Sequence, residues 1–146
     1  MAIKPQKTIP AIILIVIAVA AATVFYFYNK GPLNIENTKG TLVTAAELYR
    51  SYINDPLTAQ KKYNDQVLIV RGEVLEVSFN SNNQKIIMMK TGSPAAFINC
   101  TLEEPADTIK TADEINIKGI CGGIGQGFPE MGIKGDVYLS RCLIVK

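Results

Sequence analysis

The sequence predicts a mainly β fold: a five-stranded Greek-key barrel, preceded by two short helices and an N-terminal transmembrane helix. Three observations carry this expectation. The run from Ile9 to Tyr28 holds no charged residue. Apolar residues then recur at helical spacing between Ala45 and Tyr63. After Asn64-Asp65 the period becomes that of strands, with β-branched runs separated by glycine- and asparagine-rich turns.

A helix over residues 9–28, at about 1.5 Å per residue, covers roughly the 30 Å hydrocarbon core of a bilayer. Pro10 falls in its first turn, where the missing N–H costs little. Phe25, Tyr26, Phe27 and Tyr28 close the run in the manner of an interfacial aromatic belt. Lys4 and Lys7 precede the run and Lys30 follows it. The positive-inside bias therefore predicts a cytoplasmic N-terminus over 1–8, a single-pass signal anchor in the inner (cytoplasmic) membrane over 9–28, and a linker over 29–43. Residues 44–146 then form a periplasmic or otherwise extracytoplasmic domain. A cleaved signal peptide is the competing reading, ending at Ala18-Val19-Ala20 or Ala20-Ala21-Ala22. The apolar run continues six residues past Ala22, longer than a cleaved signal needs. No cysteine lies near the segment, which excludes a lipid-modified anchor.

Residues 29–40 contain Gly, Pro and Asn without apolar periodicity, as a linker does. Thr44-Ala-Ala-Glu47 is a capping box, and Ala45, Leu48, Tyr49 and Tyr52 then mark one face of a helix to about Asn54. Asp55-Pro56 restarts a short helix carrying Leu57, Ala59 and Tyr63. The tyrosines read as helix packing in preference to ligand stacking. Gln66–Phe79 is a long strand interrupted by Gly72, as expected of a bulge or bend. Lys85–Lys90 and Ala95–Leu102 follow as second and third strands. Glu103–Asp113 reads as a short helix or helical turn with Ile109 as its apolar contact. Glu114–Cys121 is a fourth strand bending at Gly119, and a glycine-rich loop over 122–135 leads to the last strand, Asp136–Val145. A long kinked first strand and a helical connection between the third and fourth describe a small closed barrel of OB type. A five-stranded sandwich fragment is the alternative, and it leaves that helix unexplained.

Composition narrows the chemistry. The 146 residues include no His and no Trp. Imidazole bases, Ser-His or Cys-His nucleophile pairs and His metal ligands are therefore excluded. With Lys4, Lys7 and Lys30 set aside, residues 31–146 hold 12 basic and 13 acidic side chains, a formal charge of −1.

The stretch Thr44–Lys146 resembles the tRNA anticodon-binding-like OB-fold family of short bacterial membrane-anchored or lipoprotein domains. The matching pieces are Ala45-Ala-Glu-Leu-Tyr49, Lys62-Tyr63, Val70-Arg-Gly-Glu-Val74, Asn99-Cys100-Thr101, Ile117-Lys-Gly-Ile-Cys121-Gly122 and Asp136-Val-Tyr-Leu-Ser-Arg-Cys142. The resemblance implies an OB barrel with no established activity, and the family's name warrants no tRNA function here. An extended loop between Cys121 and Asp136 departs from the pattern. A haem chaperone anchored in the same way carries its haem on a histidine, which this chain lacks.

Cys100, Cys121 and Cys142 have no CxxC spacing, and zinc would need a carboxylate as fourth ligand. If the last two strands turn near Met131-Gly132, Cys121 and Cys142 lie opposite one another. They are then a candidate disulfide in an oxidising compartment, with Cys100 a buried thiol; three unbridged core cysteines is the alternative. The glycine-rich loop lacks both GxGxxG opening a helix and GK[ST], so it is no phosphate cradle. Phe128 and Met131 at its tip are either a plug over the barrel end or ligand contacts.

OB barrels bind ligands over their second and third strands, between the loops at either end. Candidate ligand-binding residues on or near that face are Arg71, Phe79, Lys85, Lys90, Phe97, Phe128, Met131 and Lys134. The expected partners are the membrane and an unknown envelope polymer, peptide or protein. Single-stranded nucleic acid, or another anionic oligomer, is the second reading. It is disfavoured by the charge of −1 and by location beyond the membrane. No catalytic set, metal or cofactor is expected; pairs such as Glu103-Glu104 read as solvated acids.

Overall fold

The computed structural model describes residues 8–29, 31, 34–106 and 108–146. Two compact units result, residues 1–33 and 34–146. In the first, α1 spans Thr8–Asn29, and none of the apolar window Ile9–Asn29 is buried by the rest of the chain. Its mean hydropathy of 2.6 and its length suffice to cross a membrane. Thr23 turns its hydroxyl back to the Val19 carbonyl at 2.7 Å, so this polar group is satisfied within the helix. Lys4, Lys7, Lys30, Pro32 and Leu33, used above for topology and linker, lie outside the described residues, as does Asp107.

In the second unit, β1 (Thr41–Thr44) leads into α2 (Ala45–Asn54) and α3 (Pro56–Tyr63). Thr44 caps α2, its hydroxyl accepting the Glu47 N–H at 3.1 Å, as the capping box requires. Asp55 caps α3, with Pro56 at its first position and the Thr58 N–H on its carboxylate at 3.2 Å. Strands β2 (Val67–Phe79), β3 (Lys85–Lys90), β4 (Phe97–Leu102), β5 (Glu114–Ile124) and β6 (Val137–Val145) complete the chain.

The sheet order β1-β2-β3-β4-β6-β5, with a further β2–β5 pairing, closes β2 to β6 into a five-stranded barrel. All pairs in the barrel are antiparallel except β4 with β6. Closure depends on β2, whose first half pairs with β5 (Val67↔Ile120 to Glu73↔Glu114) and whose second half pairs with β3 (Val74↔Met89 to Phe79↔Lys85). The handover is a bulge between Val74 and Glu76. The irregularity expected at Gly72 therefore sits at Leu75, where the strand changes partner. Gly119 does mark a bend: the β5–β6 register shifts there, and a Cβ on it would lie 2.6 Å from Cys142 Sγ.

Three local expectations are corrected. Glu103–Asp113 forms bends and turns in its described residues, with no helix. Pro105 cannot donate to a helical ladder, and the bulge in β2 offers better partners. Val74 N–H bonds the Asp113 carbonyl and the Val74 carbonyl accepts from Ala112 N–H, both at 2.8 Å. The segment is thus drawn out along β2. Secondly, Thr41–Thr44, whose first three residues are expected within the linker, is a strand parallel to β2 (Thr41↔Leu68 to Thr44↔Arg71), and Ile35 ahead of it is buried. Four residues next to a capping box carry too little alternation to announce a strand. Thirdly, β5 continues to Ile124, and a Phe128↔Ile133 bridge around a 3-10 turn at Pro129–Met131 makes the glycine-rich stretch an ordered hairpin end.

The interior is a single cluster in which Leu48, Tyr49 and Tyr52 of α2 and Ala59 and Tyr63 of α3 pack with the inward residues of the barrel. Tyr52 is the largest fully buried side chain and sits at its polar centre. Its hydroxyl bonds Asn64 Oδ1 at 2.5 Å and lies 3.3 Å from Cys121 Sγ. With the phenol proton on Asn64, the thiol is the donor to the phenol oxygen. Asp65 N–H to the Cys121 carbonyl (2.8 Å) and Cys121 N–H to the Gln66 carbonyl (2.9 Å) fasten the same junction through the backbone. The helices are so tied to β5 at one rung.

Candidate binding face

Strand alternation decides which side chains face outward. On β3, β4 and β6 the residues Ile87, Met89, Ile98, Cys100, Leu102, Val137 and Leu139 are buried inside. Between them Ile86, Met88, Phe97, Asn99, Thr101 and Tyr138 form the outer surface, half-buried or exposed. Met88, Asn99 and Tyr138 fall on one row across the three strands. Asp136 holds the start of β6 against β4, accepting from Phe97 N–H at 3.0 Å and from Asn99 Nδ2 at 2.7 Å. The Tyr138 ring is half-exposed and lies over Gly125, where a Cβ would approach it to 2.6 Å. The face is thus mostly uncharged, with two aromatic rings and one oriented amide.

The sequence-predicted residues divide by position. Phe79 and Lys85 meet at the β2–β3 end, with the Lys85 ammonium 5.9 Å from the Phe79 ring centroid and donating to the Ala106 carbonyl. Phe97 is on the face itself. Lys90, opposite Phe97, is paired with Glu73 at 2.6 Å. Phe128, Met131 and Lys134 belong to the β5–β6 loop at the other end, where Phe128 and Met131 are 66% and 73% exposed, so neither plugs the barrel. Arg71 is elsewhere: its rung joins β1, β2 and β5, and its guanidinium pairs with Glu114 at 2.8 Å. Ile86, Met88, Asn99 and Tyr138 were not singled out from sequence. The alternation in KIIMMK, FINCTL and DVYLSRC places them on one face, once the strand order is known.

The cysteines differ from the hairpin expectation. A turn centred on Pro129–Met131 and a bulge at Gly122 bring Leu139, not Cys142, opposite Cys121. Cys142 is instead beside Leu102 of β4. All three are free, buried thiols. A hydrogen bond with Cys142, together with full burial, pushes the Cys100 thiol well above the ordinary range. Burial also raises Cys121, and burial raises the Tyr52 phenol. Such groups stay protonated at neutral pH and are poor nucleophiles. Among the described residues no cluster of His, Cys, Asp or Glu could hold a metal ion.

A lipoprotein of Klebsiella pneumoniae subsp. pneumoniae MGH 78578, to which nucleic-acid binding is provisionally ascribed, has a similar structure. The TM-score is 0.54 at 15% identity, over 80% of this chain and all of that one. A protein of Leishmania major Friedlin, provisionally assigned as an aspartyl-tRNA synthetase, matches with a TM-score of 0.44 at 11% identity. That alignment spans 86% of this chain and 25% of the larger protein. No curated protein matches the sequence. The tRNA_anti-like family model matches residues 1–129, well over half of the chain, and with the closed five-stranded barrel beside it the protein belongs to the tRNA_anti-like family.

Proposed function

We propose that this chain is a non-catalytic binding module, anchored in the inner membrane by α1 with its barrel (44–146) on the extracytoplasmic side. Its outer β3–β4–β6 face recognises an envelope polymer, peptide or protein. The observation that carries the reading is the row Met88–Asn99–Tyr138 with Ile86 and Phe97: aromatic and aliphatic surface around a fixed amide, open at both ends to a loop. Apolar and aromatic contacts set affinity on such a face, and the amide sets orientation. The Lys90–Glu73 pair beside the face, and Arg71–Glu114 elsewhere on the barrel, neutralise charge that a polyanion would need.

Single-stranded nucleic acid is the second reading. It is supported by the exposed rings of Phe79 and Tyr138 and the half-buried ring of Phe97, which could stack bases, and by the binding ascribed to the Klebsiella protein. Salt separates the two. The full chain in neutral nanodiscs should capture peptide or glycan probes with affinity that is nearly flat between 50 and 300 mM salt, and Tyr138→Ala with Phe97→Ala should abolish capture. Oligonucleotide binding that falls steeply with salt, and no peptide or glycan capture, would replace the first reading by the second.

A further inference from the structure

We infer that a second, separate ligand site lies under the β5–β6 loop, and that it takes a small molecule joining one oxyanion to a short apolar arm. Two adjoining hollows make this site. The first, of about 380 Å³, is bounded by α2, the β3–β4 turn and the loop, with Tyr49, Arg50, Ile53, Thr91, Ser93 and Lys134 on its walls. The second, of about 460 Å³, continues from Ile53 and Lys134 along Pro56, Ile124 and Ile133. Both volumes suit a small molecule.

The chemistry differs along the length of this site. At one end stand a guanidinium and an ammonium, neither of them ion-paired to a described residue, whereas Arg71, Lys90 and Arg141 all are. Arg50 offers a planar donor fork and Lys134 a point charge, a pair suited to a carboxylate or phosphate head. The Ser93 hydroxyl adds a donor beside them. The Thr91 hydroxyl is already committed, donating to the Ala96 carbonyl at 2.6 Å and accepting from Ser93 N–H, so it braces the turn instead. Burial and, after it, the Asp136 charge raise the Tyr49 phenol, but the Asp136 carboxylate is taken up by Phe97 N–H and Asn99. At the other end the walls are mostly apolar, Tyr52 standing among prolines and isoleucines, and contain no cation beyond Lys134. A head-only anion leaves that apolar hollow unused, and an alcohol leaves the two cations unused. The site is independent of the β3–β4–β6 face and stands or falls without it.

The test uses the full chain in neutral phosphatidylcholine nanodiscs with isoleucine methyl groups labelled. Hexanoate, hexyl phosphate, hexanol and inorganic phosphate are titrated separately. Saturable shifts of the Ile53, Ile124 or Ile133 methyls are expected with hexanoate or hexyl phosphate, at least tenfold tighter than with hexanol or inorganic phosphate. Whichever of the two anions binds more tightly identifies the head as carboxylate or phosphate. Arg50→Gln with Lys134→Gln should weaken the anions at least tenfold and leave hexanol unchanged, while unperturbed methyls in the barrel interior report an intact fold. The isoleucines of α1 report partition into the bilayer. Equal affinity for hexanol, indifference to the double substitution, or shifts confined to α1 would each overturn the inference. The methyl of Ile86 reports the sheet face separately.

Discussion

Replacing Tyr52 with Phe removes one oxygen atom from the centre of the molecule and leaves the ring in place. Tyr52 is 1% exposed, and its hydroxyl serves both Asn64 Oδ1 and the Cys121 thiol. A buried polar group that loses its partner costs about 1–3 kcal/mol. Asn64 is only half-buried and can turn towards water, and a thiol is a weak donor. The lower part of that range therefore applies, about 1–2 kcal/mol. A domain of this size loses about 5 °C in Tm per kcal/mol, so the expected fall is roughly 5–10 °C, read from the near-UV dichroism of the full chain in mild detergent. Asn64→Ala alone and in combination completes a cycle, and a coupling of at least about 0.5 kcal/mol is expected between residues in contact. A Tyr52→Phe protein melting within about 1 °C of the parent, or strictly additive substitutions, would show that the ring's packing alone secures the helices to β5.

Further outcomes follow from other parts of the barrel. A Cβ on Gly135 would meet the Gly125 carbonyl oxygen at 1.9 Å, so Gly135→Ala must move backbone and should destabilise by about 1–3 kcal/mol; Gly132→Ala, with φ 68° but open space around it, should cost less in the same melt. The buried thiols should react with iodoacetamide at pH 7.5 at least about 100-fold more slowly in native than in unfolded protein. All three should then titrate without reductant; recovery of only one would establish a bridge. Because the folded-state pKa values of Cys100 and Cys121 are raised, their contribution to stability is present below the ordinary thiol value of about 8.5 and is lost as pH rises above it. Asp55 behaves in the opposite sense. Its carboxyl is held below the usual range by hydrogen bonds from the Thr58 hydroxyl and backbone N–H. Asp55→Ala should therefore lower Tm at pH 7, with the gap narrowing as pH falls through the carboxylate range; a gap constant from pH 3 to 7 would refute the cap's charge dependence.

Features written in local spacing were legible in the sequence. Thr44 and Glu47 announce α2, Asp55-Pro56 announces α3, and the β-branched runs announce the barrel strands, because caps and periodicity act within a few residues. Features set by distant partners were not. The turns over Glu103–Asp113 follow from a bulge in β2 some thirty residues earlier, and β1 exists only because the edge of β2 beside Leu68–Arg71 is free to pair. The candidate site divides the same way. Phe97 and Lys85 stand out by type, whereas Asn99 and Tyr138 acquire meaning from the β4–β6 pairing. The Cys121–Cys142 expectation differs from the structure in register, because the turn is centred on Pro129–Met131 and the irregularity between Cys121 and Gly123 leaves Leu139 opposite Cys121.

The position of β6 has a consequence for biogenesis. The latest of the barrel strands in chain order, β6, is the one inserted between β4 and β5, which do not otherwise pair in the ladder. Until residues 137–145 arrive, both neighbours present bare edges, the kind of surface that recruits stray chains. A chain broken off ahead of residue 137 would therefore lose the cylinder's closure and keep two adhesive edges.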